Sequence, residues 1–187
     1  MKHQKLYHLV LAALFAALTA IGAFLKIQIP VEGIPAITLQ FFFTAMAGVL
    51  LGAKYGAISQ AVYVLLGLVG LPIFTMGGGF SYVLQPSFGF LVGLIPSAWV
   101  IGTLCKNAKS FWPMALGILA GLAVLYLIGT PYMGLILNLY LGKGMSVWQI
   151  VRAGCLLYLP GDVLKIVVCT ALCLALRSRL PKALAAA

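Results

Sequence analysis

Apolar stretches follow one another along almost the whole chain, separated by short breaks that hold most of the polar, proline and glycine residues. They fall at about 6–25, 39–52, 55–70, 86–105, 112–141 and 147–178. A helix of roughly 20 apolar residues spans the ~30 Å hydrocarbon core of a bilayer. The pattern therefore predicts an all-α integral membrane protein, a six-helix transmembrane bundle forming one domain over 1–187. Gly52-Ala53-Lys54-Tyr55-Gly56 is expected to be a tight turn between the second and third helices. Pro131 is expected to kink the fifth. In the sixth, Leu159-Pro160-Gly161 is expected to break the helix, so that 145–158 forms a half-helix near one interface. Two breaks are unusual. Lys26 to Thr38 contains Pro30, Gly33 and Pro35, which forbid a continuous helix, yet it is largely apolar, as a lid folded over something would be. Leu71 to Tyr82 contains Gly77, Gly78 and Gly79, which permit a close approach of backbone to a ligand.

Composition removes the soluble alternatives. The chain is 64% hydrophobic and 7% charged, with a net charge of +10, outside the range of a water-soluble domain. The basic residues also sort by side. If each apolar stretch crosses once, Lys2, Lys5, Lys54, Lys106, Lys109, Arg177, Arg179 and Lys182 share one side; Lys26, Lys143 and Arg152 fall on the other. The positive-inside rule places the first group, and both termini, in the cytoplasm. The basic balance is thus topological, and nucleic acid is not an expected partner. The first stretch is longer than a signal-peptide core and reads as a retained helix. Cys105, Cys155, Cys169 and Cys173 contain no C-x-x-C pair, so neither a metal nor a redox site is expected. The phosphate-binding spacing G-x-x-x-x-G-K-S/T is absent, so no nucleotide is hydrolysed by this chain.

Against this background Asp162 and Lys165 stand out. They are three residues apart, on one face of a helix, at the head of an uncharged run. Ionisable groups within a span are costly and point to function, the alternative being an ion pair that only locks helices together. Asp162 precedes Arg177 by 15 residues, which at ~1.5 Å per residue puts it ~22 Å above the inner edge of the core. That depth is level with the two outer loops. Gln40, Gly78, Gly79, Tyr82, Gln85 and Tyr158 are the remaining candidates for a binding site there. A carboxylate, an ammonium, amides and phenols between apolar walls suit a small amphipathic molecule. They do not suit catalysis: the two histidines, His3 and His8, lie at the opposite end, and no nucleophile–base or metal set exists. No cofactor is expected. On the first helix Ala12, Ala13, Ala16 and Ala17 give overlapping A-x-x-x-A spacings, a flat strip suited either to packing inside the bundle or to docking on a separate membrane partner.

Four stretches taken together resemble one family. They are Pro35-Ala36-Ile37-Thr38-Leu39-Gln40; Gly67 to Phe74 with Gly77-Gly78-Gly79; Gln85-Pro86-Ser87-Phe88-Gly89-Phe90-Leu91-Val92-Gly93; and Leu159-Pro160-Gly161-Asp162-Val163-Leu164-Lys165. In this order they are similar to the BioY family, the biotin-binding S components of energy-coupling factor (ECF) importers. The chain departs from the family where Pro86-Ser87-Phe88-Gly89-Phe90 stands in place of a Pro-Thr-Gly-Gly-Tyr-like run. The resemblance implies a multi-pass protein of a prokaryotic plasma membrane that captures biotin from outside. It implies that the alanine strip docks on an EcfT-like transmembrane coupling subunit and that two EcfA-like ATPase subunits supply the energy. Asp162 and Lys165 would then contact the ureido ring or the carboxylate of biotin. The same architecture with another small vitamin or precursor is the alternative, as is a structural protein in which the pair is only an ion pair.

Overall fold

A computed structural model describes residues 2–29 and 34–178. The chain is mostly helical. Helix α1 spans Lys2–Phe24, and a two-residue antiparallel ribbon follows, β1 (Lys26–Ile27) with β2 (Ile37–Thr38), in the register Lys26↔Thr38 and Ile27↔Ile37. The first of the two unusual breaks is therefore a pinned β-ribbon at its base. Pro30 and Gly33 lie outside the described residues.

Helix α2 covers Gln40–Leu68 and folds back on itself at Gly52, whose φ of 76° and ψ of 177° leave helical space. Gln40 bonds Tyr63 and Thr44 bonds Gln60, and a Cβ on Gly56 would lie 2.9 Å from the Gly48 Cα. These pairs converge on residue 52, so the two arms are antiparallel. The expected five-residue turn is a single residue. Ala53 to Gly56 are already helical, because one glycine at positive φ suffices to reverse the chain.

A 3-10 turn, Phe80–Leu84, leads to α3, Phe88–Leu104. Pro86 lies before α3 rather than in its first turn. Helix α4 runs Phe111–Leu135 with Pro131 inside it, and a π turn follows at Ile136–Tyr140. There Asn138 closes the connection to α5 by donating to the Met145 carbonyl (2.8 Å) and accepting from its N–H (2.7 Å). Helix α5, Val147–Val151, starts with a Ser146–Gln149 capping box and passes into a second π turn, Arg152–Leu156. Helix α6 is Leu159–Arg177.

The break before α6 falls at 157–158, ahead of the expected 159–161. Pro160 sits in the first turn of α6, where its missing N–H has no intrahelical acceptor to lose. Asp162 is consequently in the first turn as well, its N–H bonded to the Tyr158 carbonyl at 2.9 Å.

Among the described residues four helical stretches are long and apolar enough to cross a membrane: Lys5–Phe24, Gln40–Leu68, Phe111–Tyr140 and Val147–Arg177; Phe88–Leu104 is a shorter apolar helix. Tyr63, Ile101, Met114, Ile118 and Leu122 fill the centre. Polar residues in this core are paired with each other. Thr44 donates to Gln60 Oε1 (2.9 Å), and Gln60 Nε2 reaches Thr19 (3.3 Å), tying α1 to both arms of α2. A buried polar group without a partner would cost ~1–3 kcal/mol. At the far end of α6, Arg177 donates to the carbonyls of Val49 (2.6 Å), Cys105 (2.8 Å) and Ala108 (3.1 Å).

Candidate functional site

At the other end of the bundle the same helix opens into a cavity. The empty space, counted out to its mouth and including the solvent there, is about 640 Å³. Asp162, Lys165 and Tyr158 form one wall; Leu125 and Tyr126 of α4 and Phe90, Leu91 and Leu94 of α3 form the next. Gln40 and Phe41 of α2 close the third side, and Pro35, Ala36, Thr38, Thr75, Tyr82 and Ser87 lie toward the two loops.

The central pair is intact. Lys165 Nζ donates to Asp162 Oδ1 at 2.7 Å, with side chains 11% and 6% exposed, so it is not a screened surface ion pair. The Tyr126 hydroxyl donates to the other oxygen, Asp162 Oδ2. The carboxylate is thus held from both sides and keeps lone pairs for a further donor. Lys165 uses one of its three donors on Asp162 and has no other hydrogen-bond partner among the described residues. An acceptor and a donor, 2.7 Å apart, therefore face the cavity together.

The polar groups around them are oriented rather than loose. Gln40 Nε2 donates to the Tyr63 hydroxyl (2.8 Å), which donates in turn to the Ile73 carbonyl (3.0 Å). Gln40 Oε1 accepts from Thr38 Oγ1 (3.0 Å). Tyr82 is 2.8 Å from Thr75 Oγ1 and accepts from Ser87 Oγ (3.2 Å). Ser87 stands at the N-cap of α3 but caps nothing with its side chain; the hydroxyl is used on Tyr82 instead. The loops over the cavity are fastened to its walls. The Tyr158 hydroxyl donates to the Pro35 carbonyl at 2.5 Å, and Lys26 Nζ donates to the Thr75 carbonyl of the second loop.

Of the residues singled out from sequence, Asp162, Lys165, Gln40, Tyr82 and Tyr158 line this cavity; Gly78, Gly79 and Gln85 do not. The glycines serve the loop itself. A Cβ on Gly78 would lie 2.0 Å from the Leu71 carbonyl oxygen, and the Gly79 N–H bonds the Gly67 carbonyl at 2.7 Å. Gln85 contributes its backbone, accepting from Phe88 N (3.0 Å). The alanine strip also divides. Ala12 and Ala16 are buried, whereas Ala13 and Ala17 are exposed. Tyr126, Thr75, Ser87 and Phe90 were not anticipated. For Tyr126 the signal available was a phenol in the middle of a mostly apolar α4, which carries a second one at Tyr132; for Ser87, a hydroxyl in the residue preceding a helix.

A buried ion pair with spare hydrogen-bonding capacity, walled by aromatic and aliphatic groups inside a membrane bundle, defines a binding protein for a small polar-headed molecule. Comparison narrows the class. The model of the BioY family matches residues 1–182, and the chain belongs to that family. It is 45% identical over 148 residues to the probable biotin transporter BioY of Lysinibacillus sphaericus, covering 78% of this chain and 74% of that protein. It is 37% identical over 171 residues to the biotin transporter BioY of Thermotoga maritima, covering 90% and 95%. A crystal structure of the S-component for biotin from an ECF-type ABC transporter superposes with a TM-score of 0.82 at 28% identity, covering 95% of this chain and 94% of that one.

Proposed function

We propose that this chain is the substrate-binding S component of an ATP-driven ECF-type importer, and that biotin occupies the cavity. The observation that carries the reading is the Asp162–Lys165 pair. Biotin's ureido edge presents an N–H beside a C=O, complementary to a carboxylate oxygen and an ammonium 2.7 Å apart. Asp162 accepts the N–H and Lys165 donates to the carbonyl, charge-assisted bonds that are the strong class in a dry site. Phe41, Phe90 and Leu94 suit the thiophane ring and the aliphatic chain.

Six spans with both termini cytoplasmic, in a prokaryotic plasma membrane, fit the two arms of α2 and the distribution of basic residues. Ala13 and Ala17 are the part of the alanine strip left open for a coupling subunit of the EcfT type, with two EcfA-type ATPases supplying energy that this chain has no phosphate loop to harvest. Ala12 and Ala16 support the same contact from behind, by packing α1 on α2. The chain itself catalyses no reaction in this reading and needs no cofactor.

The test is unbiased. The protein is purified from cells in rich medium and denatured, and the released small molecules are identified by mass spectrometry. Near-stoichiometric biotin is the expected result. A different vitamin would keep the architecture and overturn the substrate. A protein that is empty and fails to bind added biotin would overturn the reading and leave the pair as an ion pair only.

A further inference from the structure

A second concavity lies on the outside of the bundle, between the first loop and the segment that precedes α6. Its walls are Ile34, Met145, Ala153, Leu156 and Leu157, and its two polar groups are Gln149 and Arg152. The guanidinium makes no hydrogen bond or ion pair to any described residue. Arg152 is the sixth residue of the 31-residue apolar stretch Val147–Arg177, close enough to its end for the guanidinium to reach lipid headgroups. The chain has only two acidic residues. Asp162 is already held by Lys165 and Tyr126, and Glu32 lies outside the described residues.

The neighbouring surface says what the groove faces. Val147, Trp148, Leu139 and Tyr140 are 78%, 62%, 80% and 59% exposed. Exposed Trp and Tyr beside aliphatic residues mark the headgroup level of a bilayer. Gln149 adds a donor at this level. Its Oε1 accepts from the Ser146 N–H (2.7 Å), so the capping box fixes the amide and leaves Nε2 without an acceptor among the described residues.

We propose that this groove binds an anionic phospholipid, its phosphodiester held by Arg152 and Gln149 and one acyl chain lying along Leu156, Leu157 and Ile34. A planar guanidinium matches phosphate oxygens bidentately, and the apolar walls match the chain. The groove shares its partition with the cavity described above: Ile34 and Leu157 are the chain neighbours of Pro35 and Tyr158, whose hydrogen bond fastens the loop.

The test does not involve biotin, so it stands apart from the proposed function. The full chain in detergent is mixed with equimolar phosphatidylglycerol and phosphatidylcholine of matched acyl chains, and retained lipid is counted by native mass spectrometry. Wild type should retain phosphatidylglycerol about fivefold over phosphatidylcholine, the ratio expected for one basic side chain near a headgroup. Arg152→Gln should bring the ratio to about one, while Arg152→Lys, which keeps the charge but not the bidentate fork, should fall between the two. Lys106→Gln, an exposed cation away from the groove, should leave it unchanged. Arg152 is exposed, so these variants are expected to fold, and melting in detergent checks that. A wild type with no preference overturns the proposal, as does a preference that survives Arg152→Gln. Equal losses in Arg152→Gln and Lys106→Gln would mean diffuse charge attraction and also overturn it.

Discussion

Helix α6 carries a cation near each end, and the two have opposite surroundings. Lys165 meets a carboxylate and a cavity. Arg177 meets three backbone carbonyls contributed by α2, the residue that follows α3 and the α3–α4 connection. A guanidinium with its donors directed at fixed carbonyls has its geometry completed by the protein; it staples helix ends that would otherwise leave acceptors unsatisfied. An ammonium with one bond made and two donors spare is incomplete until something else arrives. A charge in a membrane protein is thus diagnosed by the capacity it has left, not by its burial alone.

The contrast can be broken from either end. The largest effect is expected for Asp162→Asn, which keeps the shape and removes the charge. Biotin affinity by isothermal titration should fall about a hundredfold, as one or two charge-assisted bonds at ~1.5–3 kcal/mol each would give, in a protein that melts lower because Lys165 loses its counter-ion but is still folded at the temperature of the assay. A lower melting temperature with binding retained would make this end a staple too. Arg177→Gln should lower the melting temperature by about 5–10 °C and move affinity less than twofold. A large loss of affinity there would erase the distinction. Tyr126→Phe removes one of the two donors on the carboxylate while Lys165 remains; a weakening of about fivefold is expected, for one hydrogen bond of ~1 kcal/mol. The smallest change is expected for Tyr158→Phe, which loosens the loop at Pro35. Biotin should leave about threefold faster in stopped-flow fluorescence, with little change in the association rate.

The same contrast explains what the sequence made legible. Asp162 and Lys165 are visible because charge in an apolar run is rare, and their spacing of three fixes their mutual contact without knowledge of the fold. Gly52 is visible as a turn, although only the structure reduces the turn to one residue. Tyr126 is not visible in its role, because α4 is apolar around its whole circumference and no periodicity sets which face meets α6. Arg177 reads from sequence only as an inner-side charge, since its acceptors are backbone atoms that no side-chain pattern announces. Gly78 and Gly79 are ambiguous in sequence for a related reason. A glycine that admits a ligand and a glycine that admits the chain's own Leu71 carbonyl are identical in sequence. Ala13 and Ala17 are separated from Ala12 and Ala16 only by the rotation of α1 on α2.

The three-residue spacing of Asp162 and Lys165 also bears on how the chain is made. The last segment has to leave the translocation machinery and enter lipid before its final neighbours are arranged around it. Opposite charges one turn apart neutralise each other as soon as that turn is helical, so the segment can partition as a nearly neutral unit. Had the same acceptor and donor been supplied by two different helices, each would have had to enter lipid as a lone ion, at roughly 2.5–3.5 kcal/mol on insertion scales. Placing both within the first two turns of one helix lets a polar pair be delivered into the bilayer by biogenesis itself.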